Sequence, residues 1–109
     1  MSSGEGLERL AKSFGRHLRA KNKSEKTVET YGEAVEQLAD FLEGEGLAEV
    51  QLMTREHIEG FLVQLLSHRS AATAHCRYRA LRQFTKWLAA EGLIANDPMV
   101  GMKPPIVPE

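Results

Sequence analysis

The chain has 109 residues, with 14 Lys and Arg, 15 Asp and Glu and a formal net charge of −1 at pH 7, and this length suits one small domain. Its apolar content of 42% is that of a globular protein, and no apolar run approaches the roughly 20 residues that a membrane span needs. No signal segment opens the chain, and its one cysteine, Cys76, excludes an internal disulfide. We therefore expect a cytoplasmic protein without membrane contact.

The first half of the chain predicts two helices. Apolar residues recur there every three or four positions and never alternate as in a strand. We expect helix one over residues 5 to 21, and helix two from its cap Ser24 to the stop signals Gly44 and Gly46. Residues 47 to 53 form a connector with too few residues for an element of its own. The apolar stripes are Leu7, Leu10, Phe14 and Leu18 in helix one, and Val28, Tyr31, Val35, Leu38 and Leu42 in helix two.

The second half predicts two further helices and an extended tail. Thr54 caps helix three, which ends near His68, and Ser70 or an adjacent residue caps helix four, which ends at Gly92. A turn follows at residues 96 to 98, and four prolines in the last dozen residues prevent another helix. Short connections between four helices predict a compact all-α bundle. The stripes are Ile58, Phe61, Leu62, Leu65 and Leu66 in helix three, and Ala74, Tyr78, Leu81, Thr85 and Leu88, broadened by Phe84, in helix four.

The near-zero net charge hides a separation of charges along the chain. Residues 9 to 26 contain seven Lys and Arg but one acid, Glu25, whereas residues 29 to 59 contain nine acids and one Lys or Arg, Arg55. Residues 69 to 86 contain five Lys and Arg and no acid. Because the local potential attracts a phosphate backbone, the net charge does not exclude nucleic-acid binding.

Helix four carries a row of basic side chains on one face. His75, Arg79, Arg82 and Lys86 fall within a sector of about 60° at 100° per residue. A face that is merely solvated is the ordinary explanation of such a row. On such a face, basic side chains are normally paired with acidic side chains one turn away, and Glu91 is the only acidic residue near enough to this row to form a pair. A helix with this face can lie in a DNA major groove, where Arg reaches guanine edges and Lys reaches phosphates. The row therefore favours nucleic-acid binding.

Arg77 lies beside the apolar stripe of helix four, and its role is open. It could bind a phosphate. It could equally pack its stem against the core with the guanidinium outward.

The start of helix two is a second candidate phosphate site. Lys23, Ser24, Lys26 and Thr27 lie where free backbone N–H groups and the helix dipole favour an anion. Capping by Ser24 alone is the simpler explanation, although a cap and a phosphate contact can coexist. Tyr31 is on the buried stripe, so we expect it to pack in the core with its hydroxyl at the rim.

Other chemistry finds no support in the sequence. The four histidines do not have the spacing of metal ligands, and there is no glycine-rich phosphate loop or nucleophile motif. We predict no metal, no cofactor and no catalytic residue in this chain.

Three sequence segments resemble the N-terminal core-binding (SAM-like) domain of tyrosine recombinases, a family that includes phage integrases and Xer-type recombinases. Residues 24 to 31, Ser-Glu-Lys-Thr-Val-Glu-Thr-Tyr, look like the family's helix-two pattern. Residues 70 to 73 and 77 to 84, with their Ala-Leu-Arg-x-Phe ending, are similar to its helix-four pattern. Residues 92 to 98, followed by 103 to 105, look like the exit toward a catalytic domain. These segments occur in the same order as in the family and together span nearly the whole chain.

The resemblance implies a four-helix orthogonal bundle that clamps duplex DNA through helices two and four during integration or recombination. Residues 1–98 would form this domain and residues 99–109 an extended linker. This chain departs from the family pattern at Gly32-Glu33, because relatives often carry basic residues directly after the helix-two tyrosine. The departure suggests that helix four and residues 21–26 dominate the contact with DNA. The predicted DNA-binding residues are Lys23, Lys26, Thr27, Tyr31, Thr73, Arg77, Arg79, Arg82 and Lys86.

The resemblance also implies that the catalytic residues lie in another part of the parent protein. The family's catalytic arginines, lysine, histidines and nucleophilic tyrosine belong to a domain that would follow Glu109, so Tyr31 and Tyr78 are not that nucleophile. We expect a fragment that is not itself an enzyme, from a parent that is a tyrosine recombinase. Its partners would be double-stranded DNA, the catalytic domain of the same parent and other recombinase protomers.

Two rival functions are open on the residues alone. A helical protein-interaction module would dock through the apolar rim or through the acidic face of helix two, formed by Glu33, Glu36, Asp40 and Glu43. A small enzyme domain completed by a partner subunit is the other, and no residue favours it.

Overall fold

Four α-helices and one short 3₁₀ turn follow one another along the chain. In the computed structural model, α1 is Ser3–Ala20, α2 is Glu25–Gly44, α3 is Arg55–His68 and α4 is Ala71–Ala90. The structure describes residues 3–47 and 49–108, with side chains from residue 6 onward, and these ranges contain no strand. The predicted four-helix, all-α fold is confirmed. The predicted domain limits at residues 1 and 109 lie outside the described residues.

The connector between α2 and α3 contains a 3₁₀ turn, Val50–Leu52. The Met53 N–H donates to the Val50 carbonyl at 3.1 Å and closes this turn. The prediction that the connector holds no element was therefore wrong, because one 3₁₀ turn needs only three residues.

Three of the helices are followed, two positions beyond their last residue, by a residue in the left-handed conformation. Asn22 has φ of +62°, Gly46 of +76° and Gly92 of +72°. After each, a backbone N–H reaches back five residues, and the bond from Leu47 to the Leu42 carbonyl, at 2.9 Å, is typical. Glycine adopts this conformation without steric cost, so the predicted stops at Gly46 and Gly92 have a direct backbone cause.

An aromatic cluster around Phe14 joins α1, α2 and α4. The Phe14 side chain is 1% exposed. Its ring centroid lies 5.3 Å from that of Phe84, 5.4 Å from that of Trp87 and 6.3 Å from that of Tyr31. Such aromatic contacts add to the free energy of apolar burial. The cluster therefore holds the two helices of the predicted DNA-binding surface on one core.

The helix α3 packs closely on α2 through a glycine. A Cβ atom built on Gly60 would lie 3.2 Å from the Phe41 ring, and that ring is 5.7 Å from the Phe61 ring. The absence of a side chain at Gly60 lets Phe41 approach the α3 backbone, so α3 covers the end of α2.

The chain after α4 folds back onto that helix before it becomes extended. Met99 and Met102 are buried in the core, at 0% and 8% exposure. The Tyr78 hydroxyl donates to the Met102 carbonyl at 2.7 Å, and Arg82 Nη1 donates to the Met99 carbonyl at 3.3 Å. Turns between Asp97 and Met102 carry the chain past these contacts, so the turning backbone lies mostly after the turn predicted at residues 96 to 98. The packed core thus continues to Met102, four residues past the predicted limit at residue 98.

We expect Tyr78→Phe to lower the free energy of unfolding by about 1 to 2 kcal/mol, because it leaves the Met102 carbonyl without its buried donor. Urea unfolding measures this loss, and amide hydrogen exchange should be faster at Met102. The matched control is Tyr31→Phe, since the Tyr31 hydroxyl makes no hydrogen bond within the described residues. Equal stability of the two variants would contradict the role of this contact.

Candidate nucleic-acid interface

The exposed face of α4 presents the predicted row of cations. Arg79, Arg82 and Lys86 are exposed and His75 is half-buried. None of the four lies within 4 Å of a carboxylate among the residues that the structure describes. The three permanent charges therefore remain available to an external anion.

The N-termini of α2 and α4 share one capping arrangement. Ser24 Oγ accepts the Thr27 N–H at 3.1 Å and donates to Thr27 Oγ1 at 3.0 Å. Ser70 and Thr73 repeat these contacts at 3.1 and 3.0 Å. Each serine therefore satisfies one free donor of its helix, and each threonine hydroxyl keeps a proton that it can donate outward. Both predicted threonine sites, Thr27 and Thr73, are half-buried at these helix starts.

The start of α2 also carries two exposed lysines. Lys23 and Lys26 flank the Ser24 cap, and the N–H groups of Glu25 and Lys26 have no backbone acceptor among the described residues. Free N–H groups, the helix dipole and two ammonium groups together favour an anion at this end.

An ion pair between α1 and α2 lies beside this helix start. Arg19 Nε and Nη2 donate to the two carboxylate oxygens of Glu25 at 3.0 and 3.3 Å. The hydrogen bond and the charge of Arg19 lower the pKa of Glu25, and Glu25 in turn raises the pKa of Arg19. Arg19 therefore offers less free positive charge than the exposed lysines nearby.

We expect Arg19→Gln to raise the pKa of Glu25 toward its ordinary value, as measured by NMR titration of the Glu25 carboxyl. A lowered folded pKa stabilises the fold above the ordinary glutamate pKa, and this contribution is lost as the pH falls through the folded value. The variant should therefore lose less stability than the parent between mildly acidic pH and pH 3. An unchanged Glu25 pKa in the variant would contradict the pairing.

Two of the predicted contact residues face other helices. Tyr31 is half-buried against the Phe14 ring, which agrees with its expected place at the rim of the core. The Arg77 side chain is only 15% exposed and reaches Gln37 and Glu33 on α2. The two open interpretations of Arg77 both assumed an outward guanidinium, whereas the structure turns it toward α2.

Several partners of the candidate site were not identified from the sequence. Gln37 and Glu33, which hold Arg77, lie on another helix, and no local pattern connects them with it. The contact of Arg82 with Met99 was also missed, because it depends on how the tail folds back.

The described residues contain no group of three or more His, Cys, Asp or Glu side chains that could hold a metal ion. Within the same ranges, no helix is long and apolar enough to span a membrane.

Comparison with known proteins identifies the family. Residues 10–94 match the model of the phage integrase N-terminal SAM-like domain. The tyrosine recombinase XerC of Oceanobacillus iheyensis is 34% identical over 104 residues, which cover 91% of this chain and 33% of that protein. The tyrosine recombinase XerC of Roseiflexus castenholzii is 31% identical over 94 residues, which cover 84% of this chain and 30% of that protein. The chain thus spans about a third of the length of these relatives, and no solved structure matches it significantly. This chain belongs to the family of phage-integrase N-terminal SAM-like domains, the N-terminal domains of tyrosine recombinases and integrases.

Proposed function

We propose that this domain binds double-stranded DNA for a site-specific tyrosine recombinase or integrase and clamps the duplex through α2 and α4. The observation that carries the proposal is the row of Arg79, Arg82 and Lys86, exposed on one face of α4 without a carboxylate partner among the described residues. The similarity to tyrosine recombinases agrees with this assignment.

Binding would draw on two kinds of contact. Arg79, Lys86 and the lysines at the start of α2 neutralise phosphates and release counterions, which supplies affinity without sequence preference. The α4 helix fits the major groove, whose width is about 12 Å, and there Arg82 can reach base edges. The free N–H groups at the start of α2 can donate hydrogen bonds to a phosphate oxygen. Lys23, Lys26 and Thr27 therefore position the duplex, while α4 reads it.

Catalysis belongs to another part of the parent in this proposal. The parent is a tyrosine recombinase whose catalytic domain is connected through the extended segment after Met102, and this domain binds DNA without cutting or rejoining it. The proposed partners are that catalytic domain, the duplex and other protomers on the same DNA. The relatives, of which this chain spans about a third, agree with such a division.

The salt dependence of DNA binding tests the proposal. A footprint of about five phosphate contacts predicts a slope of roughly −4 to −5 when log affinity is plotted against log salt concentration. Fluorescence anisotropy with a labelled generic duplex measures this slope. Absence of affinity at low salt would contradict DNA binding by this domain and favour a protein-interaction module.

A further inference from the structure

Arg77 differs from the other cations of α4 in being mostly buried between two helices. Its Nε donates to Gln37 Oε1 at 2.9 Å, and its Nη2 lies 3.7 Å from Glu33 Oε2. Arg77 lies on α4, whereas Gln37 and Glu33 lie on α2. We call these three side chains the Arg77 bridge.

The position of Arg77 on α4 explains why it is buried. Ala80 and Trp87 are buried in addition to the predicted stripe and Phe84, so the buried arc of α4 is wider than predicted. At 100° per residue, Arg77 points between the directions of Phe84 and Leu88. Its guanidinium therefore emerges toward α2, about half a turn away from the exposed row that contains Arg79.

The chemistry of the bridge makes Arg77 a poor phosphate ligand. A mostly buried guanidinium needs acceptors for its fork of donors, and Gln37 and Glu33 supply oxygens on two of its nitrogens. A phosphate that took these donors would displace Gln37 and approach the negative charge of Glu33. The exposed guanidinium of Arg79 could bind a phosphate without displacing another side chain and without approaching a carboxylate.

The bridge links the two elements that carry the proposed DNA contacts. Gln37 lies about three turns after Lys26 on α2, and Arg77 precedes Arg82 and Lys86 on α4 by five and nine residues. A directional bond between helices limits sliding and rotation of one against the other, which apolar packing alone restricts less strictly. The bridge therefore fixes the relative register of the two cationic surfaces.

We propose that Arg77 is a positioning residue, which holds α2 and α4 in the register that lets both contact one duplex, and that it does not itself contact phosphate. This inference rests on the proposed function. It makes Gln37, an uncharged residue outside the DNA-facing surface, necessary for full DNA affinity.

The test compares Arg77→Ala and Gln37→Ala with Arg79→Ala as the matched control, by measuring the salt dependence of duplex binding. We expect Arg77→Ala and Gln37→Ala each to weaken binding about tenfold, within the range of coupled contacts, while the salt slope stays near that of the parent. Arg79→Ala should reduce the slope by about 0.9, the loss of one phosphate contact. Since Gln37→Ala leaves every charge in place, its effect cannot arise from a lost ion contact.

Urea unfolding of the same variants supplies a readout that needs no DNA. The Arg77→Ala/Gln37→Ala double variant should unfold near the midpoint of Arg77→Ala alone, because one interaction is removed in both. The effects of Gln37→Ala and Arg79→Ala should add.

Two results would overturn the inference in distinguishable ways. If Arg77→Ala lowers the slope by about 0.9 while Gln37→Ala binds like the parent, Arg77 contacts phosphate and only the positioning role falls. If the parent does not bind DNA at low salt, the proposed function fails and the positioning role fails with it, whatever the unfolding data show.

Discussion

Replacing Arg79 and Lys86 together by glutamine is expected to weaken binding of a generic duplex about 60-fold at 0.1 M salt. Each phosphate contact contributes about 0.9 to the log-log salt slope, so two lost contacts lower log affinity by about 1.8 at that concentration. Neither side chain makes a hydrogen bond or ion pair to another side chain within the described residues, so the fold should be unaffected. Fluorescence anisotropy across a salt series measures both the affinity and the slope.

A control variant separates this surface from net charge. Arg55→Gln with Lys103→Gln removes the same two charges from α3 and the tail, outside the predicted contact set. We expect its slope to remain within a few tenths of the parent value, since distant charges are screened beyond about 10 Å at 0.1 M salt. If both double variants weaken binding equally, α4 has no special role and the attraction depends on total charge.

The Phe14→Ala substitution is expected to lower the free energy of unfolding by about 3 to 5 kcal/mol. Phe14 is 1% exposed and contacts aromatic rings from α2 and α4, so its removal leaves a cavity where three helices meet. A domain of this size has a total stability of about 5 to 15 kcal/mol, so the variant should approach the threshold of unfolding. Urea unfolding followed by circular dichroism measures the change.

The exposed residue Val63 provides the comparison for this loss. At 66% exposure on α3, Val63→Ala should change stability by about 0.5 kcal/mol or less. A loss below about 1 kcal/mol for Phe14→Ala would mean that the ring cluster does not organise the core. Collapse of neighbouring side chains into the cavity rarely restores most of the lost free energy of unfolding.

Helix positions could be predicted from the sequence because they depend on local patterns. Apolar spacing defined the four buried stripes, and Ser24, Thr54 and Ser70 each accept the expected N–H bond in the structure. The glycines at 46 and 92 adopt positive φ, as expected for helix stops. These features depend on residues within one turn, which a single sequence displays directly.

Contacts between helices could not be predicted in the same way. The partners of Arg77 are 40 and 44 positions away along the chain, and helical periodicity does not define which neighbouring helix a side chain meets. The burial of Met99 and Met102 follows from how the tail folds over α4, and four prolines in the last dozen residues suggested only an extended segment. Tertiary packing decided these positions.

The position of Arg82 makes α4 a connection between the proposed DNA contact and the exit of the chain. Its Nη1 donates a hydrogen bond to the Met99 carbonyl, while the exposed part of its side chain lies on the same helix face as Arg79. One turn earlier, the Tyr78 hydroxyl donates to the Met102 carbonyl. The direction in which the chain leaves the domain is therefore set by the same helix that would lie on DNA.

An amide chemical-shift titration of this chain with a generic duplex, at low and at high salt, maps the surface that contacts DNA. We expect shifts that are concentrated in residues 23–31 and 70–86 at low salt and that diminish at high salt, because phosphate contacts release counterions. Salt-insensitive shifts on α3, or no shifts at low salt, would contradict a DNA clamp formed by α2 and α4.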